Sequence, residues 1–133
     1  MKVFTSDSCI SAAASGRDWR EATREILAGL EKDIEEGHAY TLGFIYLSDK
    51  LADEAGNILA LLRSVTRIEN WVGTAGIGVI GMEGALIDKP ALSVMLMKQD
   101  ELEAFHPFAI SAQGAHDPTG GLEEWLEDNE PML

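Results

Sequence analysis

Between Arg17 and Glu36 the apolar residues Trp19, Ala22, Ile26, Leu27, Leu30 and Ile34 recur at intervals of three and four. Charged residues such as Arg20, Glu21, Arg24, Glu25 and Glu31 fill the gaps, so the spacing predicts an amphipathic α-helix over 17–36. Ser15 followed three residues later by Asp18 resembles a capping box, and Gly37 stands where a left-handed C-terminal residue fits. A second helix is predicted from Ser48 or Asp49 to about Thr66, with Leu51, Ala55, Ile58, Leu59, Leu62 and Val65 on its apolar face. Asp53 and Glu54 lie early in it and Arg63 and Arg67 late, the order the helix dipole favours.

Around the helices the pattern changes to short apolar runs. Thr41 to Leu47 is apolar or aromatic at almost every position, as in a central strand. Trp71 to Thr74 predicts another strand and Val3 to Thr5 the first. Right-handed crossovers through the two helices make these three strands parallel. Ala85 to Ile87 and Ala91 to Met97, separated by Asp88-Lys89-Pro90, predict an antiparallel hairpin. Alternation within the second run puts Met95 and Met97 on one face with Ala91 and Ser93. Phe105 to Ile110 reads as an edge strand, because Pro107 lacks a ladder donor.

The fold class that follows is α/β: a mixed sheet with a β-α-β-α-β parallel part, then an antiparallel hairpin, and two long helices packed on the sheet. Its predicted core is Ile26, Leu30, Phe44, Ile45, Leu59, Leu62, Val72, Leu92 and Val94. The domain is assigned to residues 1–111. Residues 112–133 read as an acidic tail or linker, with Gly114, Pro118, Gly120 and Gly121 ahead of Glu123, Glu124, Glu127, Asp128 and Glu130.

Composition narrows the function classes. The 133 residues suffice for one ordinary domain, and 46% hydrophobic with 25% charged is a globular balance. Ten basic against 23 acidic residues give a formal charge of -13, a field that repels nucleic-acid phosphates and anionic membranes. The longest apolar run, Asn70 to Met82, is too short for a membrane span of roughly 18 residues and is broken by glycines. Asp7 and three serines occupy the place of a signal-peptide apolar region, so no export signal is read. With one cysteine, Cys9, the chain fits a reducing cytoplasm.

Few residues form a reactive set. Gly76-Ile-Gly-Val-Ile-Gly81 matches the dinucleotide pattern G-x-G-x-x-G, which needs a helix opening within it, and the route through Gly84 to Pro90 leaves little room for one. No cofactor is expected. His38, His106 and His116 lie far apart without a metal-ligand spacing, and no metal is expected. A hydrolase or transferase with Cys9, or a serine near it, as nucleophile and His106 as base is the enzymatic alternative, although Ser6, Ser8 and Ser11 lack a nucleophile-elbow motif. A protein-interaction module docking through Trp125 of the tail is another. The preferred candidate is a ligand site in which backbone amides of Gly73, Thr74, Gly76 and Gly78 hold an anionic or polar group, with Glu83 facing an ammonium.

Four segments carry a family resemblance: Ser15-Gly-Arg-Asp-Trp-Arg-Glu-Ala22, Leu42-Gly-Phe-Ile-Tyr-Leu47, the run from Trp71 to Gly81, and Pro90-Ala-Leu-Ser-Val94, followed by Pro107-Phe108. In order and spacing, residues 12 to 108 resemble the N-terminal half of a FIST domain. FIST domains are sensory modules of prokaryotic signal transduction that also occur in certain F-box proteins. The resemblance implies a non-catalytic role in binding a small ligand, amino acids being a proposed class. It further implies a partner in the form of the C-terminal FIST half or a signalling domain. Thr74 stands where the family often has cysteine, so no thiol chemistry is carried over. If a second half normally covers the sheet, an isolated first half exposes apolar surface, and a symmetric homodimer is expected.

Overall fold

The computed structural model describes residues 2–36, 40–98 and 127–128. Contacts separate residues 1–99 from 100–133. In the second unit only Glu127 and Asp128 are described, and they are helical. The three histidines, the predicted strand at 105–110, Trp125 and the boundary placed at residue 111 lie outside the described residues.

The first unit is α/β, with a five-stranded mixed sheet, two helices packed on it and an antiparallel hairpin. The strands are β1 (Val3–Thr5), β2 (Cys9–Ser15), β3 (Leu42–Ser48), β4 (Asn70–Gly76), β5 (Gly78–Gly81), β6 (Gly84–Ile87) and β7 (Ala91–Met97). The helices are α1 (Trp19–Glu35) and α2 (Ala55–Thr66), the latter entered through a 3₁₀ segment at Asp49–Glu54. The sheet order is β1-β2-β7-β3-β4, while β5 and β6 pair only with each other.

The starts of the helices follow from local hydrogen bonds. Asp18 is the N-cap of α1, its Oδ1 accepting the Glu21 N–H at 2.9 Å. Glu21 Oε2 reaches back to accept the Arg17 N–H at 2.7 Å. The cap therefore rests on Asp18 and Glu21, three residues later than the Ser15–Asp18 pair suggested and with Glu21 reaching the Arg17 N–H rather than that of the N-cap, because Ser15 is occupied as the last residue of β2. Helix α2 ends on Arg67, left-handed at φ 60, whose N–H donates to the Arg63 carbonyl.

Three strand predictions are corrected by the pairing. Val3–Thr5 is a strand but runs antiparallel to β2, and β2 was not foreseen at all. Ala85–Ile87 pairs with Gly78–Gly81 across the turn at Met82-Glu83, leaving Ala91–Met97 to enter the sheet as its central strand. There β7 is antiparallel to both β2 and β3, and only β3 and β4 are parallel neighbours. The physical reason is burial: Leu92, Val94 and Leu96 are all fully enclosed in the centre, whereas a two-strand hairpin would leave them one open edge.

Register sorts the side chains. Ile10, Ala12 and Ala14 of β2 lie opposite Leu96, Val94 and Leu92 of β7, which lie opposite Gly43, Ile45 and Leu47 of β3. This face receives Ala22, Ile26 and Leu30 of α1 and Ile58 and Leu62 of α2. At its margin Trp71 lies over Gly43, where any β-carbon would collide with the indole, and its Nε1–H donates to the Ile68 carbonyl at 2.8 Å. The opposite face carries Ser11, Ala13, Phe44, Ser93 and Met95, and the β5–β6 hairpin lies on its β2, β7 and β3 strands. Val72, predicted in the core, points to this face from the edge strand and is 42% exposed. Phe44 and Leu59 are half-buried, and the other six predicted core residues are buried.

Two expectations follow. Ser48 is fully buried, donates to the Lys89 carbonyl at 2.7 Å and accepts the Ala91 N–H at 3.0 Å, so Ser48→Ala strands both groups. Urea unfolding should show a loss of about 1–3 kcal/mol. The second concerns pH. The Glu21 N–H holds the Asp18 carboxyl below its usual range, and the Arg17 N–H does the same for Glu21. With folded values lowered, this contribution is present above the unfolded carboxylate range of about 4 and is lost as pH falls through the lowered values. Thermal melts should therefore show Asp18→Ala lowering Tm at neutral pH and flattening the acid-side decline.

Candidate functional site

The end of β2 turns into α1 through Gly16, whose N–H donates to the Pro90 carbonyl at 3.0 Å. Beside this end the hairpin turn arrives from the other layer. Met82 and Glu83 make the turn, and Gly84 closes it at φ +122, a conformation that side chains resist. Gly81 lies against Ala13 of β2, so close that a β-carbon there would overlap the alanine methyl. A bare backbone at 81 thus lets the turn seat on the end of the strand.

This approach leaves a cleft of about 120 Å³ lined by Lys2, Ala13, Ala14, Ser15, Glu25, Gly81, Met82, Glu83, Gly84 and Leu86. Its polar lining combines one ammonium, two carboxylates and a hydroxyl, with glycine backbone between them. Lys2 comes from ahead of β1, Ser15 from the end of β2, Glu25 from α1 and Glu83 from the hairpin turn. The cleft is well below the roughly 300–1,000 Å³ of pockets for drug-sized ligands.

Of the five residues singled out from the sequence, Glu83 lines the cleft. Gly73, Thr74 and Gly76 lie on β4 and Gly78 begins β5. Gly73 sits opposite Ile45 and Thr74 opposite Tyr46, on an exposed edge strand, while Gly78 is paired with Ile87 inside the hairpin. No helix opens within 76–81, where the glycines run from the end of β4 into β5. Lys2, Ser15 and Glu25 were not foreseen. They are brought together by the topology, and only a signal that placed β2 in the sheet could have found them.

Cys9 is half-buried at the start of β2, opposite Met97, with Ser6 Oγ 3.4 Å from its Sγ. The proposed base, His106, is outside the described residues. Among the described residues no three His, Cys, Asp or Glu side chains converge as a metal site, and no helix is long and apolar enough to cross a membrane. No family model, curated protein or solved structure matches the chain.

Proposed function

We propose that the chain is a cytoplasmic, non-catalytic sensory domain that binds a small polar metabolite in the cleft between the end of β2 and the β5–β6 turn. One observation carries the reading: a small cleft lined by Lys2 on one side of the charge balance and by Glu25 and Glu83 on the other. Such a lining suits a ligand that carries both an anionic and a cationic group. The cleft adjoins the C-terminal end of β2, and β2 runs in the same direction as β3 and β4 because each of β2 and β3 is antiparallel to β7. The carboxyl ends of similarly directed strands are the usual place for ligands in open α/β sheets. The resemblance of residues 12 to 108 to a FIST half-domain supports the same class of role and favours an amino acid.

Glu83 is the one residue shared by the cleft and the glycine-run site expected from the sequence, so a pair of variants separates the two. A β-carbon at Gly76 meets nothing nearer than the Gly78 carbonyl at 3.8 Å, so Gly76→Val has room to fold. Calorimetry against a panel of free L-amino acids should detect a binder. Its affinity should fall roughly tenfold in Glu83→Gln and Glu25→Gln, the scale of one hydrogen bond to a charged group, and stay unchanged in Gly76→Val. Loss of affinity in folded Gly76→Val with none in Glu83→Gln would move the site to the amides of β4. Absence of binding across the panel would remove the amino-acid reading.

A further inference from the structure

We propose that β4 is a self-association edge: two copies of this chain join β4 to β4 across a twofold axis, making one continuous sheet from two five-stranded ones. Among the described residues β4 is hydrogen-bonded on one side only, to β3, over its full length from Asn70 to Gly76. On the side away from β3 its N–H and C=O groups have no strand partner among the described residues and can take one. Proteins blunt such edges with lysine, proline, bulges or very short strands. This edge has none of them: seven residues, Asn-Trp-Val-Gly-Thr-Ala-Gly, without a charge or a proline, in register with β3 throughout.

Charge selects a second copy as the occupant. With a formal charge of -13, two copies repel wherever acidic faces meet. From Asn70 to Met82 no residue is charged, so along this edge a like-charged copy approaches without opposing carboxylates. A basic partner would instead be drawn to the acidic surface elsewhere. Apolar surface flanks the edge on the same stretch: Val72 is 42% exposed and Ile77, which follows β4 directly, 81%. Strands related by a twofold axis normal to the sheet are antiparallel, and each Ile77 then lies beside the start of the partner's β4. The joint is isologous and closes at two copies, because pairing consumes the edge in both.

Sedimentation velocity on the full chain tests this. The wild type should be a dimer at high micromolar concentration, tightening as salt screens the net charge. Thr74→Lys and, separately, Ala75→Lys place a lysine on the exposed edge and should each weaken dimerisation at least tenfold while circular dichroism shows an unchanged fold. Ile80→Lys, on the outer face of the hairpin at 78% exposure, should leave the dimer intact. A wild type that stays monomeric throughout overturns the proposal, as does a dimer that survives both β4 variants. Dissociation by Ile80→Lys, with or without loss in the β4 variants, places the contact on the hairpin and also overturns it.

Discussion

The fold depends on β7, the last strand of the described unit in sequence and the central one in space. Among the described strands it alone joins β1-β2 to β3-β4, and it does so by antiparallel pairing on both sides. Without it the sheet falls into two pairs, neither wide enough to cover α1 and α2. The side chains match the position: Leu92, Val94 and Leu96 are all fully buried beneath the helices, while Ser93, Met95 and Met97 are half-buried on the other face. The entry into β7 is fixed by Ser48, whose hydroxyl bridges Lys89 and Ala91 and so ties the end of β3 to the start of β7. Lys50 and Asp88 add an exposed ion pair at 3.1 Å over the same junction, a contact of small worth in water.

The central placement of β7 also determines what lies on the second face. The chain leaves β4 at one edge of the sheet, makes the β5–β6 hairpin over β3, β7 and β2, and must then return to the centre of the sheet to enter β7. The hairpin is thereby held across the strands with Val79 buried beneath it and Gly81 on Ala13. Its turn projects to the end of β2, where Lys2, Ser15 and Glu25 gather. The cleft is thus a product of the same crossover that completes the sheet. Among the described elements the hairpin lies on β3, β7 and β2 and not on the edge strand β4, where Val72 is exposed.

Much of this architecture is legible in the residues. Both helices follow from three-and-four spacing and β3 and β7 from their apolar runs, because these elements bury large side chains in a regular period, while β4 is marked by Trp71, its one buried side chain. Strand β2 is hidden for the opposite reason. Its Cys-Ile-Ser-Ala-Ala-Ala-Ser sequence alternates buried and half-buried positions, yet most of them are small, so the alternation leaves no contrast in hydrophobicity. Proximity in sequence favours Ala91–Met97 as the partner of β6, while the two-sided burial available to β7 outweighs proximity. Missing β2 also hid the cleft, since Ser15 and the position of Glu25 acquire meaning only once β2 lies beside the hairpin turn. Glu83 was within reach because it directly follows the glycine run.

Native-state hydrogen exchange tests the central role of β7 most directly. If β7 holds the two halves of the sheet together, the amides of Val94 and Leu96 open only when the whole unit unfolds, and they exchange at the rate set by global stability. They should be among the slowest in the chain and should slow or quicken in step with denaturant-measured stability. Exchange of β7 amides faster than those of β3, or insensitive to global stability, would contradict the account and place the organising contact elsewhere in the sheet.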